Sequence, residues 1–414
     1  MSAPLTADRR DAPAGRPASS GAGKSICIIT ENRGFGGVEV HTAALIATLL
    51  DAGYSIELVC CRHQLFAEAA KSPQWRDRVR IFQVDLTTGY DDQLAPGSGD
   101  WRAFLGTLES RLLIFPKINN SQGSIAFLRA CRAHFSRVYF IEHLEEILPP
   151  FGVRKVLGFV PAGFGGWWIR RRLFKAIQPR FADHTIAVSD AVRNSLVKLG
   201  ARANRITTVR NGVEWRGVAR DPARSQAFRA AHALGAQTFV FGMLARLRPE
   251  KGIDIALEAV KLLKSRNAGD FVLVVAGQGS ELDSLLALTT RLGVADQVRF
   301  LGFVNRPADI LPAFDSILFS SRLEGLPLGL LEGMAAGCVP IVTRISGMPE
   351  AVSSAELGWV VAPESPEELA RAMQAALALD EPALAAMRGR VVEQVRAQFD
   401  LRESHRHILE ALQL

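Results

Sequence analysis

Short apolar runs of strand length alternate along most of this chain with longer stretches in which apolar residues recur every three or four positions. That alternation predicts repeated strand–helix units of a parallel sheet. In the first half, residues 25–30 (SICIIT), 55–60, 79–84, 111–115, 138–141, 184–189 and 206–209 read as strands. Helical periodicity covers 38–50, 124–134 and 190–199, the last closed by Gly200. A polar, alanine-rich stretch at 214–235, with a helix expected over 225–234, reads as a connector. The alternation then restarts. Strands are expected at 238–243, 271–276, 298–301, 316–319, 339–343 and 359–361, with helices at 254–265, 281–292, 307–313, 367–379 and 382–399. The chain is therefore expected to be an α/β protein of two Rossmann-like, doubly wound domains, 24–212 and 213–400. A terminal helix at 401–414 is expected to pack back on the first domain.

Composition supports two cores. A chain of 414 residues, 48% hydrophobic, exceeds the size at which a single core stops growing. Lys plus Arg exceeds Asp plus Glu by seven, which favours anionic partners such as phosphates, membrane surfaces or nucleic acid without choosing among them. The five cysteines are odd in number and sit mostly in apolar runs, so they read as reduced core residues in a cytosol. Residues 1–23 are rich in Ala, Pro, Gly, Ser and Arg and read as a disordered tail without a signal-peptide core. No run of 18 uninterrupted apolar residues predicts a membrane-spanning helix.

The chemistry concentrates in SSRLEGLPLGLLEGMAAG, residues 320–337, where Glu324 and Glu332 stand eight positions apart. Pro327 suits a first helical turn, so a buried helix is expected from about Leu326, with Glu332 interrupting an apolar body. A helix N-terminus attracts anions, and the two carboxylates beside and within it suit a ligand with an anionic middle and hydroxyls at either end. A nucleoside-diphosphate sugar has that form. The alternative reading makes Glu324 a loop charge and pairs Glu332 with a core arginine or a backbone amide. Arg246 and Lys251, in LARLRPEKG, follow the first strand of the second domain, where a guanidinium and an ammonium can clamp a diphosphate. Either alone also reads as a surface charge.

In the first domain the glycine-rich turn at Gly36 and Gly37 opens a helix, although the dinucleotide fingerprint is not met because its third glycine position is Glu39. Gly23-Lys24-Ser25 imitates the end of a phosphate-binding loop but has Ala18 where that pattern needs its first glycine. His143 directly follows a strand, which leaves a site role and a structural role both open. Residues 151–181 mix basic and aromatic side chains, as a peripheral contact with an anionic membrane or a helix packed on the domain would.

Taken in order, the GGVE turn, VSDAVRNSLVKLG, VRNGVE, ARLRPEKGID, AGQGSELDSL, VRFLGFV and the two glutamates eight apart resemble the family-4 retaining glycosyltransferases of the GT-B fold, over residues 25–400. The resemblance implies two Rossmann-like domains facing across a cleft, the donor held mainly on the second and the acceptor mainly on the first. It implies that Arg246 and Lys251 hold the donor diphosphate, Glu324 contacts the transferred sugar and Glu332 bonds the ribose. It places backbone around Gly325, Leu326, Pro327 and Leu328, and at Gly37, against sugar and phosphate, and matches His143 to a histidine beside the sugar. EHLEE follows the family pattern only in its first two residues. The implied activity is metal-independent, retaining transfer from a nucleoside-diphosphate sugar to a glycan or lipid-linked acceptor, in cell-envelope or exopolysaccharide synthesis. No cofactor beyond that co-substrate and no nucleic-acid partner is expected, and the expected location is the cytoplasm, peripherally on the inner membrane face. The rival reading is a catalytically silent GT-B protein that binds nucleotide sugars or acts as a scaffold.

Overall fold

Parallel strands buried on both faces need helices above and below them, and the chain meets that need twice. A computed structural model describes residues 24–31, 36–61, 66, 76–84, 101–118, 122–145, 176–218 and 221–414. The expected tail at 1–23 and residues 151–175 of the basic-aromatic stretch lie outside them. The chain divides into two units: one runs to Val209 and takes back Ile408–Leu414, the other holds Arg210–His407.

The first unit carries β1 (Ser25–Thr30), β2 (Ser55–Cys60), β3 (Val79–Gln83), β4 (Leu112–Lys117), β5 (Arg137–Glu142), β6 (His184–Ala187) and β7 (Ile206–Thr208). Its order is β3-β2-β1-β4-β5-β6-β7, all parallel. The period of two divides each strand between two cores. Ile26 and Ile28 of β1 join Leu45, Ile46 and Leu49 of the Gly37–Asp51 helix, together with Ile408 and Leu412 from the chain end. Cys27 and Ile29 face Phe127, Leu128 and Cys131 of the Ile125–His134 helix instead.

The second unit carries β8 (Phe239–Leu244), β9 (Phe271–Ala276), β10 (Val298–Gly302), β11 (Ser316–Phe319), β12 (Val339–Thr343) and β13 (Trp359–Val361), in the order β10-β9-β8-β11-β12-β13. Phe241 and Met243 of β8 pack with the Ile253–Ser265 helix, and Val240 with the core that receives the Leu328–Ala335 helix. Gly242 leaves room on β8 for Phe314, whose ring carbon would lie 1.9 Å from an added Cβ. Both sheets wind outward in both directions from their first strand. Strand order therefore reverses between β1 and β4, and again between β8 and β11, and crevices at such reversals are where open α/β sheets bind ligands.

Three expectations need correction. The helix expected at 307–313 is two short 3₁₀ turns, Pro307–Asp309 and Leu311–Ala313, because Pro312 has no N–H to continue a helix. The helix expected from Leu326 begins at Leu328, with Pro327 in extended conformation as its N-cap rather than inside its first turn. The Trp101–Gly106 and Met348–Ala351 helices, too short to show periodicity, were not expected.

Two buried ionic groups brace the sheets. In the second unit, Asp315 accepts hydrogen bonds from the Val240 N–H (2.9 Å) and from Arg229 (3.1 Å) and Arg388 (2.5 Å). In the first, Lys117 at the end of β4 donates to Glu142 Oε1 at the end of β5 (2.8 Å) and to Gln178 Oε1 (2.5 Å), with its ammonium 4.6 Å from the Phe140 ring centroid. Lys117 and Glu142 are 0% and 1% exposed, so each is the other's compensation. Removing one partner of such a pair typically costs about 3–5 kcal/mol. Lys117→Met is expected to destabilise the first unit by about that amount in denaturant unfolding, and adding Glu142→Gln is expected to recover a large part of the loss. Equal stability of Lys117→Met and the wild type would exclude a compensating role for the pair.

Candidate functional site

The reversal between β8 and β11 brings the loops leaving those two strands together, and each delivers one partner of an ion pair. Lys251 ends the 3₁₀ turn Pro249–Lys251 after β8, and Glu324 lies in the loop after β11. Lys251 Nζ donates to Glu324 Oε1 at 2.6 Å, and Ser321 Oγ donates to the same oxygen at 2.9 Å. Glu324 is 4% exposed, so burial demands this pairing. Its other oxygen, Oε2, accepts no hydrogen bond from the described residues. Lys251 has three donor hydrogens, and Glu324 takes one.

The two loops touch backbone to backbone. Gly252 adopts a left-handed conformation (φ 61°), and a Cβ there would lie 2.0 Å from the Ser320 carbonyl oxygen. Ser320 Oγ donates to the Gly252 carbonyl at 2.7 Å. The loop on either side of Glu324 is held by three hydrogen bonds: Thr343 Oγ1 donates to Ser321 O (2.7 Å) before it, and Gly347 N–H to Gly325 O (2.8 Å) and Asn211 Nδ2 to Leu326 O (2.7 Å) after it. Pro327 then opens the Leu328–Ala335 helix with no side-chain cap, leaving its first amides without an intrahelical acceptor.

Glu332 is the fifth residue of that helix, about 6 Å along its axis from Leu328. Because residues 324–327 are not helical, it lies little more than one turn into the helix instead of two. It is partly buried, not fully, and among the described residues neither a core arginine nor a backbone amide pairs with it. Burial without a partner raises its carboxyl pKa to about 7.

Arg246 is exposed on the loop leaving β8 and makes no ion pair or side-chain hydrogen bond with the described residues. Its backbone is fixed nonetheless. Ala245 N–H donates to Ala276 O (3.1 Å) and Leu247 N–H to Gln278 O (3.0 Å). Gly277 and Gly279 permit that approach, since added Cβ atoms would sit 1.8 Å from Ala245 O and 2.2 Å from Leu247 O. The AGQGS signal thus marks a backbone contact that supports Arg246.

In the first unit, Gly36 is extended (φ −169°) and Gly37 begins the Gly37–Asp51 helix. A Cβ at exposed Gly37 would meet no described residue within 4 Å, so packing against the described residues does not demand glycine there. His143 follows β5 directly and is buried, its ring edge-on to His41 with centroids 4.8 Å apart. Burial lowers its pKa to about 3, so the imidazole is neutral, and Nε2 has no partner among the described residues.

Sequence reasoning assigned no role to Ser321, Asn211, Thr343 or Arg322. The VRNGVE signal pointed at Asn211 without saying what it holds, and nothing in the sequence marked the others. Among the described residues no group of three or more His, Cys, Asp or Glu side chains is placed to hold a metal ion, and no helix is long and apolar enough to cross a membrane.

Comparison with known proteins agrees with this arrangement. A family model described as Glycosyltransferase Family 4 matches residues 35–214, and one described as Glycosyl transferases group 1 matches residues 225–396. Glycogen synthase of Mycobacterium tuberculosis is 28% identical over 252 residues, covering 58% of this chain and 57% of that protein. D-inositol 3-phosphate glycosyltransferase 2 of Catenulispora acidiphila is 33% identical over 203 residues, 46% of this chain and 47% of that one. The chain thus spans about half the length of the curated relatives it matches. Among solved structures, Anabaena Alr3699/HepE in complex with UDP superposes with a TM-score of 0.73 at 20% identity, covering 94% of this chain and 99% of that one. WaaG, a glycosyltransferase involved in lipopolysaccharide biosynthesis, gives 0.67 at 16%, covering 93% and 98%. With one family model on each half and the GT-B architecture throughout, the chain belongs to the family-4 glycosyltransferases of the GT-B fold.

Proposed function

We propose that the protein transfers a sugar from a nucleoside-diphosphate sugar to a glycan or lipid-linked acceptor, with retention of configuration and without a metal ion. The observation that carries this reading is the Lys251–Glu324 pair at the reversal of the second sheet, beside an uncapped helix N-terminus. The two donor hydrogens left on Lys251, the Arg246 guanidinium, which no described residue engages, and the first amides of the Leu328–Ala335 helix would meet the diphosphate. Cleavage of the anomeric bond places negative charge on the leaving diphosphate, and these groups stabilise it from fixed positions. Glu324 Oε2 would accept a hydroxyl of the transferred sugar. With Oε1 held by Lys251 and Ser321, Glu324 serves as a positioning carboxylate and not as a nucleophile, which favours attack by the acceptor on the face the phosphate leaves. His143 and the Gly36–Gly37 turn belong to the acceptor-facing domain in this reading.

Relatives support the class of chemistry. Alr3699/HepE has been solved with UDP-glucose, WcaL of Escherichia coli is described as a putative colanic acid biosynthesis glycosyltransferase, and a similar M. tuberculosis protein is a GDP-mannose-dependent phosphatidylinositol monomannoside mannosyltransferase. We place the protein on this basis in cell-envelope or exopolysaccharide synthesis, in the cytoplasm at the inner membrane face, its basic-aromatic stretch meeting anionic lipid.

Glu324→Gln and Lys251→Ala are each expected to lower transfer by about 10²- to 10³-fold, with circular dichroism unchanged. Product assays across UDP, GDP and ADP sugars read the result, and full activity in both variants would remove the assignment.

Glu332 gives a pH-dependent prediction. Its carboxyl pKa is raised from 4.5 to about 7 in the fold by burial. The folded form therefore holds a proton that the unfolded form releases, and the associated stability is complete below 4.5 and lost as pH rises through 7. Ligand-free Glu332→Gln should melt roughly 5–10 °C above the wild type at pH 8, since a shift of this size corresponds to about 3 kcal/mol, and the difference should shrink towards pH 5. A difference independent of pH would exclude Glu332 as the titrating group. In the bound state ribose hydroxyls would hydrogen-bond the ionised carboxylate and replace the missing partner.

A further inference from the structure

Arg322 lies two residues before Glu324, on the same loop, where an arginine beside a proposed diphosphate site invites assignment as a phosphate ligand. Its hydrogen bonds argue otherwise. Nη1 donates to Pro249 O (2.7 Å) and Asp254 Oδ1 (2.8 Å), and Nη2 to Asp254 Oδ2 (2.8 Å) and Glu364 Oε2 (3.0 Å). Nε donates to Glu364 Oε1. A guanidinium has five N–H donors, and all five are engaged, so none remains for a ligand. Arg246, by contrast, has its donors free of the described residues.

The partners of Arg322 identify what it holds. Pro249 begins the 3₁₀ turn that ends in Lys251, and Asp254 stands in the first turn of the following helix. Glu364 belongs to the loop after β13 and adopts a left-handed backbone (φ 57°) that non-glycine residues seldom occupy. The Arg322 N–H also donates to Glu250 O at 2.8 Å. Two paired carboxylates and two carbonyls therefore fix the Glu324 loop against the Lys251 turn on one side and the β13 loop on the other.

We propose that Arg322 is the positioning residue of the donor site, setting the Lys251–Glu324 geometry without touching the ligand. The inference rests on the donor-site reading above. Its carboxylate partners are 43% and 56% exposed, so the clamp contributes little to overall stability, while its paired, planar geometry determines where two loops lie. Lysine keeps the charge but cannot span both carboxylates and a carbonyl in one plane.

The test is calorimetric titration of UDP, GDP and ADP into four proteins: wild type, Arg322→Lys, Lys251→Met and the double variant. Arg322→Lys is expected to weaken the nucleotide that binds by about tenfold when Lys251 is present and by under about twofold when it is absent, since contacting networks are non-additive. Thermal midpoints should differ little between each pair. Glu364→Gln, at an exposed position, is the second variant. It should weaken binding by about threefold on the wild-type background and leave Lys251→Met unchanged. Equal losses on both backgrounds would make Arg322 a ligand contact, and no loss on either would make it a surface ion pair, and each overturns the proposal alone. Wild-type protein that binds none of the three nucleotides overturns the donor-site reading and the inference with it.

Discussion

A buried carboxylate must be neutralised or hydrogen-bonded, and the second unit is arranged around meeting that requirement at Glu324. The partner, Lys251, comes from a different strand, so the pair exists only because β8 and β11 are neighbours despite the two strands between them in sequence. Everything near it serves the approach of two loops. Gly252 removes a side chain that would strike Ser320, Ser320 bonds back to Gly252, and Thr343 and Asn211 hold the carbonyls that follow. The glycines at 277 and 279 do the same for the segment bearing Arg246.

The two units repeat this topology but use their cationic side chains differently. At the reversal of the second sheet there is cationic capacity to spare, in the unused hydrogens of Lys251 and in Arg246. At the reversal of the first, Lys117 is engaged by Glu142 and Gln178 beneath the strand ends, and burial lowers its pKa against the pull of Glu142 and Glu31. His143 beside them is neutral.

How much of this the sequence revealed follows from the range of each interaction. β2, β9, β11, β12 and β13 were legible to the residue, because apolar runs of strand length are a local signal. Lys251 and Glu324 could be singled out by residue type and by position after a strand, and the family pattern joined them. The state of Glu332 was not legible. Its helix begins two residues later than expected because Pro327 takes the N-cap, and its missing partner depends on what other segments do not bring to it. The roles of Ser321, Asn211 and Arg322 were equally hidden, since each acts on a backbone or side-chain group distant in sequence.

The arginines make the general point. Arg246 and Arg322 both follow a strand of the second sheet and precede a helix, and as residue types they are equivalent phosphate ligands. Only the count of used donors separates them. Arg322 has all five occupied by carboxylates and a carbonyl, and Arg246 has a backbone pinned by Ala276 and Gln278 behind a side chain with no partner among the described residues. A group that must stabilise charge developing in a transition state needs donors that are unused before the ligand arrives and a backbone that does not move when it does. Arg246 has both properties, while the fully engaged Arg322 supplies rigidity to the loops on which Lys251 and Glu324 stand.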